Sequence, residues 1–231
     1  MIVPTRGDRL DTFQSLVEVG LLINSRVIVV NTNPLFRPPE GTTTIEDFGP
    51  LNIQRWWNRG LALASSLGID VACVLNDDIS ISGAELQTLC EGLLSQNASI
   101  ATPGKGLELF SGHFPLSRRI TGSLWAIRPV DDLRACEDFR WHFGDDDLDI
   151  RARFYRRGLL TVPVAYAHRH KQYADRLTPE LHSLVAMDRL TFRRKYPLHS
   201  LARWSLAKTQ GRVGKGIRCL INGYGHCREQ S

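Results

Sequence analysis

The sequence is 231 residues long and 42% hydrophobic, which is enough to bury the core of one domain. No apolar run approaches the roughly 18 residues of a membrane-spanning helix, and the N-terminus shows neither a charged leader nor an apolar signal segment. The five cysteines are odd in number and form no CxxC pair. This pattern predicts reduced thiols, with Cys73 and Cys90 in the core, and a cytoplasmic protein.

The net charge of +5 is unevenly distributed along the chain. Residues 1–150 contain 12 Lys and Arg against 20 Asp and Glu, whereas residues 151–231 contain 17 against 4. The C-terminal third is therefore predicted to face an anionic partner, such as nucleic acid, an acidic membrane surface or a phosphorylated substrate. The alternative is that these charges only keep the protein soluble.

Strands and helices alternate in the first 103 residues. The predicted strands begin at Ile2, Arg26, Val71 and Ser99, and the predicted helices run from a cap at Asp8 or Asp11 to about Asn24, from Asn52 to Gly68, and from Ser82 to Ser95. Residues 32–51, rich in Pro, Thr and Gly, are predicted as a long loop. The alternation indicates a doubly wound α/β fold, a mostly parallel sheet flanked by helices.

In the second half of the chain, the sequence patterns that predict strands and helices are shorter. Residues 103–119 are predicted as a mobile, basic loop, and strands are predicted at 121–127 and 159–165, on either side of a helix from Asp145 to about Arg157. Thr178 is expected to cap a helix that ends near Lys195. We expect one domain over residues 1–197 and a basic, helical extension over 198–231.

An apolar strand, Val71–Leu75, ends abruptly in Asn76, Asp77 and Asp78. In open α/β sheets, ligands bind beyond the carboxyl ends of the strands. Two carboxylates at that edge repel each other unless a cation lies between them, and hard oxygen ligands suit Mg²⁺ or Mn²⁺. The alternative is that an aspartate here only caps a helix.

A second acidic cluster opens the predicted helix at 145, with four aspartates at 145, 146, 147 and 149. Acidic residues in a first turn complement the helix dipole, but four in five positions exceed what capping needs. Crowded carboxylates raise one another's pKa, which suits a general base. His168 and His170 follow the next strand and are either metal ligands or ordinary surface histidines.

Taken in order, these features resemble the motifs of glycosyltransferase family 2, which has the GT-A fold. The matching stretches are the opening strand 2–5, the strand end at 29–31, Trp57–Ala62, the DxD-like Leu75–Asp78, the acceptor-side strand Gly122–Arg128, and Asp146–Asp149 followed by Gly158, Pro163 and a histidine. Three positions depart from the family pattern: Asn31 and Asn76 stand where it has Asp, and Asp146 where it has Glu.

The resemblance implies an inverting transfer of a sugar from a nucleotide sugar, with UDP as the favoured nucleotide. Asp78, with His168 or His170, would bind Mn²⁺ or Mg²⁺, and Asp147 would be the catalytic base, with Asp146 next to it in the motif. The residues expected to hold the donor are Pro4, Thr5, Arg6, Asn31, Asn58, Asn76 and Asp77. The nucleoside diphosphate would leave as the acceptor hydroxyl attacks the anomeric carbon.

The acceptor does not follow from the resemblance, because the family uses polysaccharides, lipid-linked sugars, proteins and modified nucleic acid bases. The basic C-terminal third favours DNA, and specifically a hydroxymethylated base flipped out of the duplex, as in phage-type enzymes. An acidic membrane surface carrying a lipid-linked acceptor explains the same charge.

Two functions from other classes remain open at this point. A sugar-phosphate nucleotidyltransferase shares the α/β layout, but its phosphate-binding loop needs several glycines, and residues 6–10 contain only Gly7. A non-catalytic DNA-binding protein would explain the basic end but not the two acidic clusters.

Overall fold

The computed structural model describes residues 1–111, 120–168 and 178–197. Its helices are α1 (Leu10–Leu22), α2 (Ile53–Ser66), α3 (Gly83–Ser95), α4 (Gly144–Tyr155) and α5 (Pro179–Lys195). Its strands are β1 (Ile2–Thr5), β2 (Ile28–Asn31), β3 (Thr43–Glu46), β4 (Ala72–Leu75), β5 (Ile79–Ser80), β6 (Ile100–Pro103), β7 (Glu108–Phe110), β8 (Leu124–Ile127), β9 (Leu159–Val162) and β10 (Ala167–His168).

Eight of these strands form one sheet in the order β3-β2-β1-β4-β8-β6-β9-β7. The pairs β3/β2, β2/β1, β1/β4 and β6/β9 are parallel, whereas β8 is antiparallel to both of its neighbours and β7 is antiparallel to β9. Strands β5 and β10 form a separate antiparallel pair. The predicted fold class, a mostly parallel sheet flanked by helices, is confirmed.

Both faces of the sheet are covered by helices, which is why its central strands are continuously apolar. Helices α1 and α3 pack on one face around Phe13 and Leu89. On the other face, α2 buries Trp56 and Trp57, and the Trp57 ring meets Trp125 of β8 edge to face with centroids 5.4 Å apart. Both tryptophans are therefore part of the core.

Three helix starts lie where the sequence predicts them. The side chains of Asn52, Ser82 and Thr178 each accept a hydrogen bond from the backbone N–H three residues further on, at 3.0, 3.3 and 3.3 Å. For α1 the prediction is wrong, because Arg9 is the N-cap residue and no side chain caps the helix. Asp8 instead makes an exposed ion pair with Arg6 at 3.6 Å.

Two predicted loops contain strands. Residues 43–46 form β3, which pairs in register with β2 from Ile28 to Asn31, and residues 108–110 form β7. β3 and β7 are the two edge strands of the sheet. An edge strand pairs with only one neighbour, so its sequence need not contain a strong run of apolar residues. Strand β9 is shorter than predicted because Pro163 turns the chain, and Val164 donates back to the carbonyl of Val162 at 2.9 Å.

Several predictions fall on residues outside the described ranges: His170, residues 112–119 of the predicted basic loop, and the extension 198–231. The domain boundary at 197 therefore stays a prediction. Among the described helices, none is long and apolar enough to cross a membrane.

Asp188 of α5 fixes the segment that leads into α4. Its carboxylate is 2% exposed and accepts hydrogen bonds from three consecutive backbone N–H groups, those of Arg140, Trp141 and His142, at 3.0, 2.7 and 2.8 Å. One buried side chain thus satisfies three backbone donors and holds α5 against the segment just before α4.

We expect Asp188→Ala to lower the free energy of unfolding by about 1–3 kcal/mol, because backbone N–H groups would lose their acceptor in a buried place. Urea denaturation followed by far-UV circular dichroism measures this change. Arg189→Ala, at the neighbouring exposed position of the same helix, is the matched control. Equal stability of the two variants would show that Asp188 does not hold this segment.

Candidate functional site

Three parallel strands end at one edge of the sheet and bring the N-terminal motifs together. In register, Thr5 at the end of β1 pairs with Asn31 at the end of β2, and β4, on the other side of β1, ends just before Asn76. The backbone N–H of Asn76 donates to the carbonyl of Ser123, before β8, at 2.9 Å. The sheet therefore places the predicted donor-binding residues at the end of β1 and the DxD-like motif at the end of β4 side by side.

The two aspartates at this edge share one arginine. Nη1 of Arg9 lies 3.1 Å from Oδ1 of Asp77 and 2.5 Å from Oδ2 of Asp78. The hydroxyl of Thr5 donates to Oδ2 of Asp77 at 2.8 Å. Arg9, Asp77 and Asp78 are 16%, 14% and 2% exposed at their side chains, so the guanidinium neutralises carboxylates that are largely removed from water.

Burial raises the pKa of Asp77, and the negative charge of Asp78 adds to this effect. The hydrogen bond from Thr5 and the positive charge of Arg9 act in the opposite direction and only partly compensate. An additional cation at this edge would therefore be electrostatically favoured.

His168 reaches the same place from the other end of the sequence. Strand β10 pairs with β5 so that His168 is opposite Ile79, and its Nε2 lies 3.1 Å from Oδ2 of Asp78. The other carboxylate oxygen of Asp78, Oδ1, is buried and has no hydrogen-bond partner among the described residues. The predicted metal ligands were Asp78 and either His168 or His170; the fold brings Asp78 and His168 into contact, and His170 lies outside the described residues.

This pair is a small donor set for a metal. Over the described ranges, no three His, Cys, Asp or Glu side chains are grouped closely enough to hold one. One carboxylate and one imidazole nevertheless fit Mn²⁺ or Mg²⁺ when the remaining ligands are phosphate oxygens and water. The unpaired Oδ1 of Asp78 is the observation that supports this fit.

The other predicted donor residues lie nearby but have structural contacts of their own. The Asn31 side chain accepts from the backbone N–H of Asn33 at 3.0 Å and donates to the carbonyl of Phe36 at 3.1 Å, so it shapes the loop after β2. Pro4 lies within β1, and Arg6 is exposed beyond it.

Asn58 does not contact this edge. Its amide exchanges two hydrogen bonds with the backbone of Ala135, at 2.8 and 2.9 Å, and donates to Glu137 at 2.8 Å. It ties α2 to the segment before α4, which is a structural task that the sequence motif alone does not reveal.

The second acidic cluster is buried where α4 begins. Asp145, Asp146, Asp147 and Asp149 are between 0% and 8% exposed. Asp145 accepts from the backbone N–H of Gly122 at 3.2 Å, just before β8, while Asp149 makes a buried ion pair with Arg153 at 2.5 Å. Because Gly122 and Ser123 contact Asp145 and Asn76 respectively, the start of β8 connects the two acidic clusters.

Asp147 accepts from three side chains. Arg151, one turn along α4, lies 2.7 Å from Oδ2, while Lys195 and the Tyr196 hydroxyl lie 2.7 and 2.6 Å from Oδ1. Burial disfavours the ammonium of Lys195, but its hydrogen bond and charge interaction with Asp147 outweigh this and raise the pKa of Lys195. Burial and the same carboxylate raise the pKa of Tyr196 far above its ordinary range, so both groups stay protonated and donate to Asp147.

Sequence reasoning missed Arg9, Lys195 and Tyr196. Arg9 has a usable signal, because it lies in the loop after β1 and buried acids on the neighbouring strand need a cation. Lys195 and Tyr196 have none: they are about 50 residues from Asp147 and reach it only because α5 packs beside α4.

The sequence matches no protein-family model, and no curated protein matches it. Among solved structures, the chain is similar to S. aureus TarS 1–349, with a TM-score of 0.53 at 11% identity over 94% of this chain and 75% of that one. Another structure of TarS 1–349, in complex with UDP-GlcNAc, gives 0.48 at 13% over 83% and 65%. The catalytic domain of Drosophila β1,4-galactosyltransferase 7 with xylobiose gives 0.43 at 16% over 75% and 71%.

At such low identity the similarity to TarS concerns the backbone arrangement alone. It covers 94% of this chain. The chain therefore has a mixed α/β fold of the glycosyltransferase GT-A type.

Proposed function

We propose that this protein is a glycosyltransferase that moves a sugar from a nucleotide sugar to an acceptor hydroxyl. The observation that carries the proposal is that Gly122 and Ser123, just before β8, contact Asp145 and Asn76 respectively, and so link the acidic clusters Asp145–Asp149 and Asp77–Asp78 at the carboxyl edge of a GT-A-type sheet. One cluster can hold the cation that offsets the charge of a donor diphosphate, and the other can accept a proton.

The donor would lie over the ends of β1, β2 and β4. Asp78 and His168 would hold a divalent cation, Mn²⁺ or Mg²⁺, which supplies positive charge to the donor diphosphate and stabilises the nucleoside diphosphate as it leaves. Pro4, Thr5, Arg6 and Asn31 would surround the base and ribose, with Asn76 and Asp77 on the diphosphate side. UDP is the favoured nucleotide.

Asp147 would act as the base. The acceptor oxygen forms its bond to the anomeric carbon as the bond from that carbon to the diphosphate breaks, and the hydroxyl proton passes to Asp147 in a single, inverting displacement. Tyr196 already donates to Asp147 at 2.6 Å, the distance that an acceptor hydroxyl needs. An acceptor would therefore replace the Tyr196 hydroxyl at this carboxylate.

We expect UDP to raise the thermal stability of the protein in the presence of Mn²⁺, and GDP, CDP and dTDP to do so less. A ligand at about 100 times its Kd adds about 2.7 kcal/mol to the native state, and differential scanning fluorimetry detects such a change. A chelator should abolish the effect of Mn²⁺.

Asp78→Asn should remove the Mn²⁺-dependent part of the shift. Asp70→Asn, an exposed aspartate just before the opposite end of β4, is the matched control and should keep it. A folded wild-type protein that responds to none of the four nucleotides, with or without Mn²⁺, would argue against a nucleotide-sugar donor.

Asp147→Asn should reduce sugar transfer by at least about 100-fold, because general base catalysis contributes roughly 10²–10⁴-fold to such reactions. The same variant should bind the nucleotide almost as the wild type does. Release of UDP from UDP-sugar plus acceptor measures transfer, and calorimetry measures binding.

The control is Asp138→Asn, the same chemical change at an exposed position near α4. Transfer at near wild-type rate by Asp147→Asn would assign the base to another residue, and Asp146→Asn would then be the next variant.

The acceptor is proposed to be anionic, and DNA with a hydroxymethylated base is favoured over a lipid-linked acceptor on an acidic membrane. The last turn of α5 carries exposed Arg193 and Arg194 directly beside Lys195 and Tyr196, which contact Asp147. An anionic chain near the proposed base would meet these cations first. We propose the basic extension 198–231 as further contact surface and the cytoplasm as the location.

We expect duplex DNA binding to weaken steeply with salt, and the double variant Arg193→Ala/Arg194→Ala to flatten the slope of log K against log salt by about 2. Arg26→Ala/Arg37→Ala, which removes two exposed arginines from other loops, is the control. Binding to acidic vesicles without binding to duplex would assign the acceptor to a membrane instead.

A further inference from the structure

Arg9 is placed where the cation of the proposed donor site would have to bind. Its Nη1 lies 2.5 Å from Oδ2 of Asp78, the same oxygen that is 3.1 Å from Nε2 of His168. We propose that Arg9 is an internal counter-ion that competes with the metal for Asp78 and moves to the donor diphosphate, so that metal and nucleotide bind cooperatively. This inference rests on the proposed function.

The two carboxylates create a local need for positive charge. Asp77 and Asp78 are adjacent, largely buried carboxylates, and Arg9 contacts both of them. Without a cation between them, two such carboxylates repel each other. The protein without ligands therefore needs Arg9 at this place.

Arg9 and the metal would compete for the carboxylate of Asp78. A metal ligated by Asp78 and His168 would approach Oδ2 of Asp78 and would meet the guanidinium there. Two cations at one carboxylate oxygen repel each other, so the metal alone binds at a disadvantage. Oδ1 of Asp78 has no hydrogen-bond partner within the described ranges, but a metal that bound through Oδ1 would still share the single negative charge of this carboxylate with the guanidinium and be repelled by it.

The donor diphosphate would give Arg9 a new binding partner. A diphosphate next to the metal offers new negative charge, and guanidinium groups bind phosphate oxygens through paired hydrogen bonds. Arg9 is the residue just before α1, and its side chain makes no capping bond that would be lost on moving. A nucleotide would thus draw Arg9 away from Asp78 and make room for the metal.

Cooperativity of this kind is reciprocal: if UDP strengthens Mn²⁺ binding by some factor, Mn²⁺ strengthens UDP binding by the same factor. In the wild type, we expect Mn²⁺ alone to bind weakly and UDP to strengthen it by about 5–150-fold, the usual range for coupled sites. In Arg9→Ala, Mn²⁺ alone should bind more tightly than in the wild type, and the effect of UDP should shrink.

The experiment titrates Mn²⁺ into the full chain with and without UDP and follows free Mn²⁺ by electron paramagnetic resonance. Arg9→Met, which keeps most of the side-chain length, serves as a second variant if Arg9→Ala does not fold. Arg26→Ala, beside the opposite end of the sheet, is the control and should behave as the wild type.

Unchanged or weaker binding of Mn²⁺ alone in both Arg9 variants would overturn the inference. The outcome is separable from failure of the proposed function. If UDP binds neither the wild type nor its Mn²⁺ complex, the donor proposal fails, whereas tighter Mn²⁺ binding by Arg9→Ala would still show that Arg9 competes for Asp78.

Discussion

The structure depends on burying two neighbouring carboxylates at the point where β1 and β4 end. Pairing of these parallel strands brings Thr5 and Arg9 to Asp77 and Asp78. Buried like charges are tolerated only with a partner, and Arg9 supplies the positive charge. The same electrostatic demand makes this edge suited to a divalent cation and a diphosphate, so the constraint that shapes the fold here is also the one that the proposed reaction would use.

The second acidic cluster is held in place by α5 and the residue that follows it. Asp188 of α5 accepts hydrogen bonds from the backbone before α4, and Lys195 and Tyr196 donate to Asp147. These contacts join the end of the described chain to the proposed base. The exposed Arg193 and Arg194 lie in the same last turn of α5 as Lys195, which contacts Asp147.

Local chemistry explains which features the sequence predicted correctly. Asn52, Ser82 and Thr178 cap helices because an Asn, Ser or Thr side chain can bond the backbone three residues on, whatever the rest of the fold. Strand β4 was predictable from its apolar run. The edge strands β3 and β7 were missed because they need little burial, and the α1 cap was wrong because Asp8 pairs with Arg6 instead.

The alternating elements, the α/β fold class and the two acidic clusters are readable from the amino-acid sequence alone, because they follow from hydrophobic period, turn residues and residue type within short windows. The position of Arg9 between Asp77 and Asp78, the tie between Asn58 and Ala135, and the contacts of Lys195 and Tyr196 with Asp147 become visible only in the folded chain. Such contacts depend on strand order and helix packing, which join residues far apart in the chain and leave no local pattern.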